Sequence, residues 1–79
     1  MMSWGAWAVL KQLKQGPVWD GDLIDKAGRT ELLRKGLVRR DRKFVGGPYD
    51  GCQMNELTED GAKLALVCLE LDAEFGAAT

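Results

Sequence analysis

Glycine and proline cut this chain of 79 residues into short pieces, and that punctuation constrains its fold more than any other feature. Gly16-Pro17, Gly36 and the run Gly46-Gly47-Pro48-Tyr49-Asp50-Gly51 separate stretches of different periodicity. Ahead of Gly16, residues 4–15 predict a helix with Ser3 as N-cap, because Trp4, Trp7, Leu10 and Leu13 recur as one apolar stripe. Glycine takes up the C-terminal turn and proline cannot continue it. Val18-Trp19 predicts a very short strand, with Asp20 or Asp22 capping the next helix.

Residues 22–35 are helical in pattern, through Leu23, Ile24, Ala27, Leu32 and Leu33. Gly28 interrupts them, which predicts two short helices with a turn near Ala27-Gly28; one kinked helix is the other option. Gly36 after Arg34-Lys35 reads as a C-cap glycine behind a basic last turn. Extended character then covers residues 37–45 and 52–57, with the glycine-rich run as the hairpin tip. Thr58 stands where an N-cap belongs, and Glu59 and Asp60 favour the positive end of a final helix over residues 59–75. Leu64, Val67, Cys68, Leu71 and Phe75 mark one face of it, widened by Ala65, Leu66 and Leu69.

The expectation is a single α+β domain over residues 1–79, its core within 4–75 and 76–79 a frayed tail. A chain this short buries only about 60% of its unfolded surface, so a partner or dimer would add needed area. Apolar residues make up 46% and charged residues 29%, an ordinary globular balance. No apolar run approaches the roughly 20 residues of a membrane span. No basic segment precedes the first apolar stretch as in a secretory signal, so an intracellular location is expected.

Histidine is absent, which removes Ser-His and Cys-His nucleophiles and every His-containing zinc site. Cys52 and Cys68 form no CxxC pair and predict buried, reduced thiols. Neither GxxxxGK[ST] nor GxGxxG occurs, so no nucleotide loop is indicated. No cofactor or metal is expected. Carboxylate-only chemistry is left open by composition, yet no residue pair points to an enzyme.

Three stretches at the joints between these elements resemble the winged helix-turn-helix domain of small bacterial and phage transcription regulators. Leu10-Lys11-Gln12-Leu13 before Gly16-Pro17-Val18 resembles a first helix running into a first strand. Leu33 to Arg40, reading LRKGLVRR, resembles the exit of a recognition helix into the wing. Asn55 to Gly61, reading NELTEDG, resembles the entry from the wing into the last helix. The resemblance spans residues 10–61 and implies a three-helix core with a two- to three-stranded antiparallel wing and a C-terminal helix. It departs from the family in one respect. Only seven residues, about two turns or roughly 10 Å, separate Gly28 from Gly36 where a recognition helix should lie.

Net charge is −1, but unevenly distributed. Residues 26–43 carry Lys26, Arg29, Arg34, Lys35, Arg39, Arg40, Arg42 and Lys43 against Glu31 and Asp41. Residues 50–79 are strongly acidic, with Lys63 their one cation. The basic segment coincides with the part that faces duplex DNA in the resembled family. The resemblance therefore implies phosphate contacts by these cations, base-edge contacts by Thr30 and Glu31, and a contact from Tyr49 at the wing tip. A surface for an acidic protein partner and a plain solvated face are the other readings.

Three tryptophans in the first 19 residues are many for so small a core. Core packing accounts for them; a partner surface through Trp4 and Trp7 is the alternative. Leu66, Leu69 and Phe75 on the wide face of the last helix suggest a two-fold homodimer seam. The function these observations favour is a non-enzymatic DNA-binding regulator or accessory factor. The alternative is a protein-interaction module, such as a phage-encoded inhibitor or adaptor acting on a host complex.

Overall fold

The computed structural model describes the backbone of residues 2–76 and the side chains of residues 2–67. Helix α1 (Trp4–Lys14) starts at Ser3, whose hydroxyl accepts from the Ala6 N–H at 3.2 Å. It ends where the Gly16 N–H donates to Leu13 O and Pro17 offers no N–H to extend the ladder. Its buried face is Gly5, Ala6, Val9, Leu10 and Leu13. That is rotated from the expected stripe: Trp4 is 76% exposed, and Trp7 is half-buried against the core. The side of α1 that packs closest is the one with the smallest residues, because a second helix crosses there.

After β1 (Val18–Trp19) and a 3-10 turn (Asp20–Asp22) comes α2 (Lys26–Arg34), one uninterrupted helix. Its cap is Asp25, accepting from the Gly28 N–H at 2.7 Å, and neither Asp20 nor Asp22 serves. The turn expected near Ala27-Gly28 does not form; Gly28 lies inside the first turn. A Cβ on Gly28 would sit 2.4 Å from Gly5 C and O, so this glycine lets the backbones of α1 and α2 touch. At the other end Leu37 N–H donates to Leu32 O and Gly36 N–H to Leu33 O, with Gly36 at φ 72°. This paired closure needs a residue comfortable at positive φ.

The chain continues through β2 (Val38–Arg39) and β3 (Met54–Leu57). The sheet order is β1-β3-β2, antiparallel throughout. The continuous strand expected over residues 37–45 is broken. Arg39 pairs with Glu56 but Lys43 pairs with Gln53, so three residues on one side face two on the other. This is a β-bulge at residues 40–42. The Gln53 side-chain amide donates to Arg40 O within the bulge and, at 3.3 Å, to Arg42 O, which also accepts from the Met54 N–H at 3.0 Å.

Helix α3 (Glu59–Gly76) begins at Thr58, whose hydroxyl accepts from the Gly61 N–H at 3.1 Å. The same hydroxyl donates to Gly36 O at 2.7 Å, tying the ends of α2 and the hairpin together. The core is Ala6, Val9, Leu10, Leu13, Leu23, Leu32, Val38 and Ala65. Ala65, with half-buried Leu64, seats α3; Leu66 and Val67 are exposed. The side chains of Leu69 and Phe75, and residues 77–79, lie outside the described residues. Among the described residues, three α-helices and a three-stranded antiparallel sheet thus make an α+β domain. Among the described residues no helix is long and apolar enough to cross a membrane.

Candidate nucleic-acid interface

Two carboxylates organise the basic segment, and they do so in different ways. Asp20, where β1 meets the 3-10 turn, accepts through Oδ1 from Arg29 Nη1 on α2 and from Asn55 Nδ2 on β3 at 3.2 Å. Arg40 Nη2, from the bulge, lies 3.4 Å from the same oxygen. Partial burial pulls the Asp20 carboxyl upward. Arg29 and Asn55 hydrogen bonds, with the charges of Arg29 and Arg40, outweigh it and hold the group below the usual carboxylate range. Arg29 is only 14% exposed, its Nε and that of Arg40 are buried without partners, and Asn55 is wholly buried. This cluster joins three strands and α2, and its arginines are largely committed to the fold.

Glu56, in β3, holds the other pair. Its Oε1 lies 2.5 Å from Arg39 Nε and 3.6 Å from Arg42 Nε. Glu56 is 14% exposed, whereas Arg39 and Arg42 are 43% and 61% exposed. Strict strand alternation would put residues 39 and 42 on opposite faces, since their separation is odd. The bulge corrects the phase and brings both to one carboxylate.

Lys26, Arg34, Lys35 and Lys43 are exposed and make no ion pair among the described residues. Thr30 is exposed and its hydroxyl donates to Lys26 O at 3.1 Å. Glu31 is engaged at the start of α1, accepting from the Ser3 N–H at 3.1 Å. That hydrogen bond is the main reason its carboxyl sits below the usual range. A base-edge role for Glu31 would require breaking this tie.

At the hairpin tip Gly46 N–H donates to Asp50 Oδ1 at 2.7 Å and Gly51 N–H to Phe44 O at 2.8 Å. Tyr49 folds back rather than outward. Its ring lies 5.6 Å from that of Trp19 and 5.7 Å from that of Phe44, and its hydroxyl donates to Asp22 Oδ2 at 3.2 Å. The tip is therefore anchored to the 3-10 turn, with Tyr49 half open to a ligand.

Of the residues expected at a partner surface, Trp4 and Leu66 are open and Trp7 packs on the core. Asp20, Gln53, Asn55 and Glu56 are not legible in the sequence as interface-shaping residues; their roles depend on which strand lies beside which. No group of acidic or cysteine side chains among the described residues is arranged to hold a metal ion. No protein-family model, curated protein or solved structure matches the chain.

Proposed function

We propose that this chain is a small non-enzymatic DNA-binding protein of winged-helix type, a transcriptional regulator or accessory factor acting inside the cell. In this reading α2 and the basic hairpin contact the phosphates of duplex DNA. The observation that carries it is the surplus of cations. Asp20 and Glu56 pair with four arginines, yet Lys26, Arg34, Lys35 and Lys43 stay exposed on the same two elements and make no ion pair among the described residues. Through Arg29 and Arg40, Asp20 draws α2 and the bulge to one point, so these cations belong to adjoining surfaces. The β1-β3-β2 order, with a helix leading into the β2–β3 hairpin, supports the winged-helix reading.

Helix α2 has nine residues, about 13 Å at about 1.5 Å per residue. So short a helix offers few side chains to base edges, and phosphate contacts dominate. Four to six such contacts give a log-log salt slope of roughly −4 to −5. The test is fluorescence anisotropy of a labelled mixed-sequence duplex at two salt concentrations. Affinity that falls steeply with salt supports the reading, and no binding at low salt overturns it. A two-fold homodimer through the exposed Leu66 side of α3 belongs to the same proposal, and sedimentation velocity tests it.

A second reading, a protein-interaction module, is favoured by Trp4 and Ile24. Both are exposed large apolar side chains, Trp4 at the start of α1 and Ile24 just ahead of α2, where its N–H donates to Gln12 Oε1 at 2.9 Å. It expects no duplex binding and a stoichiometric protein partner.

A further inference from the structure

We propose that Glu56 is a positioning residue that presents Arg39 and Arg42 as a paired phosphate clamp. This role rests on the duplex binding proposed above. It follows from which guanidinium nitrogens each carboxylate occupies. A guanidinium donates five hydrogens, one from Nε at its elbow and four from the two Nη groups at its fork. Asp20 faces one Nη of Arg29 and one Nη of Arg40, so each of these forks has an end turned toward the protein. Glu56 faces Nε of Arg39 and Nε of Arg42, so both forks remain free on the more exposed arginines. Forks left free in this way suit the planar, bidentate donation that phosphate oxygens accept.

Two features build the clamp. The bulge at residues 40–42 shifts the pairing by one, placing Arg39 and Arg42 beside the same carboxylate oxygen. Gln53 then fixes the bulge by donating to its carbonyls. Arg39 is held at its elbow by a hydrogen bond to Glu56, and Arg42, 3.6 Å from the same oxygen, is drawn there by charge, so both stand close to the phosphate-binding arrangement before a ligand arrives. The ligand class is the phosphodiester backbone of a duplex.

Charge alone predicts the opposite result on removing Glu56, and this makes the role testable. Deleting a negative charge beside a phosphate-binding surface should tighten binding by field effects. If Glu56 positions the arginines, Glu56→Ala instead weakens duplex affinity roughly fivefold, because two side chains must now be immobilised on binding. Glu56→Gln restores affinity to within about twofold, since its carbonyl oxygen still accepts from Arg39 Nε. The measurement is anisotropy with the full chain and the same mixed-sequence duplex, alongside thermal melts. Wild-type binding with Glu56→Ala as tight or tighter overturns the positioning role and leaves the proposed function standing. A wild-type chain that fails to bind overturns both. Should Glu56→Ala lack a cooperative melt, Arg39→Lys decides, because it keeps the charge and loses the elbow donor. Weaker binding by Arg39→Lys supports the clamp, and unchanged affinity overturns it.

Discussion

Gly28 of α2 lies directly on the backbone of Gly5 of α1, with room for no side-chain atom between them. A methyl group at position 28 would meet Gly5 C and O at 2.4 Å and Ala6 N at 2.7 Å. Backbone cannot retreat as a flexible side chain can, so the two helices would have to separate and loosen Val9, Leu10 and Leu32 behind them.

Gly28→Ala is therefore expected to destabilise the domain by about 2 kcal/mol, although alanine is the better helix former by about 1 kcal/mol. For a domain of this size that is a fall in Tm on the order of 10 °C. Urea or thermal unfolding followed by circular dichroism measures it. An unchanged or raised midpoint would show that the two helices cross with room to spare.

Asp20 is held below the usual carboxylate range, and this sets the sign of its linkage. Partial burial opposes the shift, but the hydrogen bonds and charges of Arg29, Asn55 and Arg40 prevail. A carboxylate with a depressed folded-state value contributes stability above its unfolded value of about 4, and loses it as pH falls through the folded value. Asp20→Asn should cost about 1 to 2 kcal/mol near neutral pH, discounted because the site is partly exposed. The variant's stability should also fall less than wild type between about pH 5 and pH 2. Urea midpoints across that range test both expectations.

Tyr49 carries the reverse dependence. Its hydroxyl donates to Asp22, whose negative charge also disfavours the phenolate, so its titration lies above the ordinary tyrosine value. The contact is intact while the phenol is protonated and is lost as pH rises through that raised value. Wild type should show an alkaline change in Trp19 fluorescence as the hairpin tip detaches, because Trp19 lies against the Tyr49 ring. Tyr49→Phe should abolish that transition. A transition of equal size in the variant would assign it to another group.

Thr58 performs two tasks with one hydroxyl, accepting from Gly61 N–H and donating to Gly36 O. Thr58→Val keeps the shape and removes both bonds, so a loss of about 1 to 2 kcal/mol is expected. Thr58→Ser should recover most of it. Amide exchange at Gly61 would quicken in the valine variant and remain slow in the serine one.

The parts of this fold that are local in sequence are the ones the sequence disclosed. Ser3, Gly16-Pro17, Gly36 and Thr58 act on backbone groups within a few residues, and each stands at the boundary where its chemistry places it. Gly28 misleads because a glycine that admits a neighbouring backbone looks the same in sequence as one that makes a turn. Only the arrival of α1 distinguishes them. The apolar stripe through Trp4 fails for a related reason: Gly5 and Ala6 define the packed side by being small. The basic segment is legible as a cluster, but its division into committed and presented arginines is not. That division depends on Asp20 and Glu56, which come from the 3-10 turn after β1 and from β3 and reach their partners only once the sheet has assembled.

The one-residue offset between the Arg39–Glu56 and Lys43–Gln53 pairs also fixes how this hairpin tolerates changes of length. Residues inserted between Gly46 and Gly47 lengthen the tip without disturbing the strand phase below it. Deleting one residue among 40–42 would erase the offset and cost a contact below the tip: loss of Arg40 removes a guanidinium from Asp20, loss of Arg42 leaves Glu56 with a single guanidinium, and any of the three disturbs the backbone that Gln53 holds. Libraries that vary loop length at the tip should therefore yield cooperatively folded chains far more often than libraries that vary it within the bulge, at constant composition.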